Sequence, residues 1–246
     1  MLPLSHTYIS INVVGRKDPF LLVGSVIPDI TTTSKGVIKR DLIHNSPFDF
    51  YNFVKENYPK ALDLGLGLLL HCEQSKGADY YSDDFEIGYA YLNGKILDAE
   101  VKRMFGVDDS EDQHVFSHNL IEIALDLLIG KEFPNTADAY VDAQNSLDKK
   151  LLVEILSSYL KQNADVIEKE IDNFMSTLSK DNLLDKDKMI EEVTLPLVKM
   201  RMDSDIRKED VMRLIDRALE IIQDTHKDFL NTVVKEMKST FTPFLH

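Results

Sequence analysis

Only one of the 246 residues is cysteine and none is tryptophan. Cys72 therefore has no partner for an internal disulfide, and nothing in the cysteine usage calls for an oxidising compartment. No apolar run is long enough to span a bilayer. The opening Met-Leu-Pro-Leu-Ser-His-Thr lacks the basic stretch and apolar core of a secretion signal, so the expectation is a cytoplasmic protein. Basic residues are also scarce. Lys and Arg total 28 against 42 acids, a net charge of -14, which argues against stable nucleic-acid binding because phosphate neutralisation needs cations. A small phosphorylated substrate is not excluded, since bound metal can supply the positive field. Alternating strands, internal repeats and low-complexity linkers are missing too, and no oligomeric state is indicated.

What remains is helical periodicity. The 43% hydrophobic content is ordinary for a globular chain, and the apolar residues recur at three-four spacing. Examples are Leu147, Leu151, Leu152, Ile155, Leu156 and Tyr159, then Val166, Ile167, Ile171, Phe174, Met175 and Leu178. The expectation is an all-α protein: a metal-site region over 1–135 and a helical C-terminal extension over 136–246, packed together as one domain. Phe20 to Ile27 reads as a buried strand or a buried helix, ended by Pro28 in a turn that presents Asp29. Residues 31–46 read as a loop containing His44. Pro47 starts a helix, and Ala61–Cys72 is a buried helix whose glycines, Gly65 and Gly67, allow close packing. The segment 85–105 is helical with an interruption at Asn93-Gly94. Pro196 kinks or breaks 188–202, and Asp203 or Ser204 caps a single long final helix, with His226 at its boundary.

Histidine carries the functional signal. Five of the seven, His6, His44, His71, His114 and His118, fall in the first half. His71 ends the apolar helix, where a polar group needs a partner, and an acidic stretch with Asp79, Asp83 and Asp84 follows it. Ser110 and Gln113 form a capping-box pattern ahead of an apolar run that Gly130 should terminate. On that helix His114, His118 and Glu122 recur at steps of four and share a face. Two imidazoles and a carboxylate on one stripe suit zinc.

The ordered set resembles the bacterial zinc-dependent phospholipases C and the related fungal single-strand nucleases, over roughly the first half of the chain. The residues that carry the resemblance are Ser5-His6-Thr7-Tyr8-Ile9, Gly24-Ser25-Val26-Ile27-Pro28-Asp29, His44, Leu66-Gly67-Leu68-Leu69-Leu70-His71 and His118-Asn119-Leu120-Ile121-Glu122. That family folds as an all-helical bundle around a cluster of three zinc ions. The resemblance implies one to three zinc ions held by His6, Asp29, His44, His71, Asp79, His114, His118 and Glu122. It also implies a phosphodiester or phospholipid-like substrate, with Asp29 as the carboxylate that orients the attacking water. The chain departs from the family at three points. Ser75 stands where His-x-x-x-Asp requires an acid, and Asp79, one further helical turn on, is the first substitute, with Asp83, Asp84 and Glu73 behind it. The family's N-terminal tryptophan ligand is missing, and the histidine before the final pair has a counterpart only if His114 fills it. The rival expectation is a non-catalytic helical protein with structural histidines or one closed structural metal. A helical phosphohydrolase of the HD type ranks last, because the chain contains no His-Asp dipeptide.

Overall fold

The computed structural model describes residues 2–105, 111–196 and 206–245, which form helices and turns with no strand among them. The helices are α1 (Pro3–Val14), α2 (Pro19–Gly24), α3 (Ile30–Thr33), α4 (Arg40–Ile43), α5 (Pro47–Asn57), α6 (Leu62–His71), α7 (Ala78–Asp83), α8 (Tyr89–Gly94) and α9 (Asp98–Phe105). They continue as α10 (Glu111–Glu132), α11 (Asn135–Ser146), α12 (Lys149–Leu160), α13 (Ala164–Thr177), α14 (Lys180–Leu184), α15 (Lys186–Lys188), α16 (Lys208–Ile222) and α17 (His226–Phe241). The all-α class is as expected. Buried apolar residues from both halves form one cluster, from Leu4 and Leu21 to Leu214 and Phe241.

Local chemistry explains several boundaries. Asp18 accepts from the Phe20 and Leu21 amides at 2.8 and 3.2 Å, with Pro19 at the first helical position, so the ambiguous apolar run opens as helix α2. Pro28 then sits in a 3-10 turn, Ile27–Asp29, in place of further helix. The stretch 31–46 is not wholly a loop, since it contains the short helices α3 and α4.

Other expectations need correction. Gly130 does not stop α10, which runs on to Glu132; the residue lies against the side chains of Leu184 and Leu4, a close packing position. The expected single final helix is two, α16 and α17, separated at residues 223–225, and His226 begins the second. The proposed caps Asp203 and Ser204, like the capping serine Ser110, lie outside the described residues. Before Pro196 the helix widens into a π turn, Met189–Thr194. That is where the proline's missing N–H and bulky ring disturb the preceding turn.

Two long elements position the site. The apolar helix α6 packs against α2 and α5, and α10 runs past α1, α8, α9 and α16. The α2–α6 crossing is backbone on backbone. A Cβ on Gly67 would overlap the Leu21 carbonyl oxygen, Ser25 N (2.6 Å) and Gly24 C (2.7 Å), and one on Gly24 would stand 2.5 Å from the Leu64 oxygen. Only glycine permits this approach, and it lays the Ser25 carbonyl beside the end of α6.

The α1–α10 contact is fixed by a carboxylate. Asp126, fully buried on α10, accepts from the Leu4 and Ser5 amides at 2.8 Å each and from the Ser5 hydroxyl. A side chain from another helix thus satisfies the first amides of α1, complementing its N-terminal dipole. Burial pushes the Asp126 carboxyl up to about 7, with the Ser5 hydroxyl and the two amides pulling the other way. Asp126→Asn faces an amide group toward a backbone N–H, and we expect it to cost about 2–3 kcal/mol, or roughly 5–10 °C in Tm for a chain of this size. The sign of the pH dependence follows from the raised value. The group's contribution is complete below the unfolded carboxyl pKa near 4 and declines as pH rises through about 7. The gap between wild type and variant should therefore be wider at pH 5 than at pH 8, as thermal melts at the two pH values will show.

Candidate metal centre

The apolar helix α6 delivers His71 at its last residue, wholly buried. Its Nδ1 lies 2.9 Å from the Ser25 carbonyl, which can only accept, so Nδ1 carries the proton. Its Nε2 then faces Asp79 Oδ2 at 3.1 Å and Asp29 Oδ1 at 3.7 Å. His6 stacks on the His71 ring at 3.9 Å between centroids, and His44 meets it edge-on at 5.1 Å. These rings come from α1, the end of α4 and the end of α6.

Asp79 is the common partner. Its Oδ1 stands 3.4 Å from His6 Nε2, and its Oδ2 stands 3.0 Å from His44 Nε2 and 3.1 Å from His71 Nε2. Asp79 thus lies against all three histidines, but the helical-turn argument that named it in place of Ser75 does not apply. Helix α6 ends at His71, Cys72 is extended, and a 3-10 turn Glu73–Ser75 follows. Asp79 belongs to a new helix, α7. Ser75 has a different task, its hydroxyl donating to the Leu69 carbonyl in the last turn of α6 and to the Cys72 carbonyl just beyond it.

Several of these atoms lack conventional partners. Both ring nitrogens of His6, Nε2 of His71 and Oδ2 of Asp29 are buried without a hydrogen bond among the described residues. Two metal-compatible triads lie here, His6–Asp29–His71 and His44–His71–Asp79, each with its ligand atoms within 4.8 Å of one another. Because His71 has committed Nδ1 to Ser25, it offers one nitrogen and serves one cation only. Asp79, with one oxygen toward His6 and the other toward His44 and His71, is placed to bridge.

A third triad adjoins through α7. Asp83, one turn after Asp79, gathers with His118 and Glu122 of α10. His118 Nε2 lies 2.9 Å from Glu122 Oε1 and 3.3 Å from Asp83 Oδ1, and the Ser82 hydroxyl donates to Glu122 Oε1 at 3.1 Å. The i,i+4 reading of His118 and Glu122 matches the contact. His114 is not gathered with them. One turn upstream, its Nδ1 reaches Asp98 of α9 at 3.0 Å and its ring lies across Tyr91. The stripe is continuous, but the cluster is only one turn long.

Electrostatics separate the acids. Burial works to raise the Asp79 carboxyl, yet His71 and hydrogen bonds with His44 and His6 hold it well below the usual carboxylate range. Burial raises Asp29, with His71 opposing and Asp79 reinforcing the rise. Burial drives His6 down to about 3, helped by His71. For His118 burial lowers the pKa, but Glu122 and Asp83 outweigh it and carry the ring up to about 10. Pairs of carboxyls whose environments drive their values apart mark sites that can divide acid and base work. Asp29 is also the more open of the two, its side chain 21% exposed against 3% for Asp79.

The structure adds residues that the pattern alone does not select: Asp98 as the partner of His114, Asp126 as the clamp on α1, and Arg40, whose Nη2 lies 3.0 Å from His44 Nε2. Asp126 continues the His118–Glu122 stripe by one more step of four, the one signal that marks it in sequence. Neither protein-family models, nor curated proteins, nor solved structures yield a match to this chain.

Proposed function

We propose that the protein is a metal-dependent phosphoesterase, with zinc as the metal and a phosphodiester or phospholipid-like substrate. The observation that carries the reading is the convergence of His6, His44 and His71 with Asp29 and Asp79 in a buried space. There, both ring nitrogens of His6, Nε2 of His71 and Oδ2 of Asp29 are buried without a hydrogen bond among the described residues. Lone pairs of this kind repel unless a proton or a cation lies between them. Imidazole and carboxylate together suit zinc better than calcium or magnesium. His6, Asp29, His44, His71 and Asp79 would hold one part of the centre, and Asp83, His118 and Glu122 the other.

Bound dications supply charge neutralisation for the phosphoryl group and lower the pKa of a coordinated water toward 7. The chain's own residues divide the remaining tasks. Ser25 fixes the tautomer of His71 through its carbonyl, as backbone acceptors do for metal-binding histidines. Asp79 turns its two carboxylate oxygens toward the three imidazoles. Asp29, whose side chain is partly exposed and whose buried Oδ2 makes no hydrogen bond among the described residues, is the group that orients a water and accepts its proton. That partial exposure supports a catalytic reading over a closed structural metal, since catalytic sites keep a position free. Phe85 and Ile87, 65% and 51% exposed just after Asp83, favour a substrate with an apolar portion.

The test is zinc content after purification without chelator, followed by assays on bis-nitrophenyl phosphate and a short-chain phosphatidylcholine. Bound zinc together with chelator-sensitive hydrolysis of either substrate is the expected result. A zinc-loaded protein that cleaves neither, or a chain that takes up no zinc, would sink the proposal.

A further inference from the structure

Arginines in this acidic chain normally find acids. Among the described residues Arg16 pairs with Asp63, Arg103 with Glu100, Arg207 and Arg213 with Asp210, and Arg217 with Glu220. Arg40 does not. Its neighbour Asp41 is engaged with Asn45, and the Arg40 guanidinium instead donates to His44 Nε2 at 3.0 Å. That nitrogen is the one that also faces Asp79 at 3.0 Å. The guanidinium thus stands at the focus of the His44–Asp79 donor pair, where a cation is called for, while the rest of its side chain is exposed to solvent.

Resting on the phosphoesterase reading above, we infer that Arg40 is the substrate's phosphate ligand, gripping non-bridging oxygens of the phosphoryl group at the mouth of the centre. A cation held by His44 would take the nitrogen lone pair to which Arg40 donates, and the guanidinium would then be released from it. The nearest acid in sequence is already engaged. An unpaired guanidinium at the lip of a centre built for phosphoryl chemistry has one fitting partner, the planar array of phosphoryl oxygens that its fork of donors matches. Negative charge spreading over those oxygens in the transition state strengthens the contact, so it assists turnover as well as binding.

The test compares the zinc-loaded full chain with Arg40→Ala and Arg40→Lys, measuring inorganic phosphate binding by calorimetry and kcat/KM on bis-nitrophenyl phosphate. Arg40→Ala should weaken phosphate binding and lower kcat/KM by about ten- to hundredfold each at unchanged zinc stoichiometry. Arg40→Lys should lose less, because it keeps the charge without the fork. Added guanidinium ion should restore part of the rate to the alanine variant, an effect that a merely structural arginine would not show. If Arg40→Ala loses zinc, Arg40→Lys carries the comparison at full loading. Phosphate affinity and rate equal to wild type in the zinc-replete variant would overturn the assignment of Arg40 and leave the phosphoesterase reading standing. A wild-type chain that binds zinc but cleaves no phosphodiester would overturn both.

Discussion

Asp79→Asn should remove most of the bound zinc and lower any phosphodiesterase rate by about a thousandfold or more. The residue is 2% exposed and lies within 3.4 Å of three histidines, so its loss touches every histidine of the first two triads. Asparagine keeps the volume but removes the charge and one of the two acceptor oxygens. It can no longer offer an anionic oxygen to His6 on one side and to His44 and His71 on the other. Removing one member of a buried charged network leaves the others unpaired, which adds a structural cost to the functional one. The measurement is zinc per chain by elemental analysis, alongside the rate on bis-nitrophenyl phosphate. A variant that keeps its full zinc content and rate would show that Asp79 is only a hydrogen-bond partner of the histidines. His114→Ala is the contrasting variant. Because that ring is held by Asp98 outside the triads, its zinc content should stay that of the wild type.

Gly67→Ala should be among the most destabilising single methyl additions available to this chain. The new Cβ would overlap backbone atoms of α2 at Leu21, Gly24 and Ser25, none of which can rotate away as a side-chain tip could. Relief requires α2 and α6 to separate, which opens packing along one of the molecule's most extensive helix pairs. Overpacking of this severity is expected to cost about 3 kcal/mol or more, against roughly 1–3 kcal/mol for ordinary cases. The same separation draws the Ser25 carbonyl away from His71 Nδ1, freeing the ring to turn. Chemical denaturation should therefore show a lower midpoint, and zinc affinity should fall with it. An unchanged midpoint would mean that the α2–α6 crossing is looser than its backbone contacts imply.

The helical class and several residues of the candidate site were readable from residues alone because their causes are local. His118 and Glu122 meet because four residues make one helical turn, and His71 was marked by its place at the end of an almost wholly apolar helix. Asp29 was marked by Pro28, which ends the preceding run. The same local logic misled at His114. Spacing assigned it to the cluster, whereas the position of α9 gives it to Asp98. It also misled at the C-terminus, where apolar periodicity continues from α16 into α17 across residues 223–225 although the helix does not.

The order of apolar and polar residues was enough to settle that this chain is helical, that one histidine must be deeply buried, and which histidine and glutamate share a stripe. It could not settle which acid meets which histidine. That choice depends on how α1, α6, α7 and α10 lie against one another, set by bare glycine backbone between α2 and α6 and by Asp126 holding the first turn of α1. Contacts within a helix follow from its period, whereas contacts between helices depend on the angle and distance at which they pack.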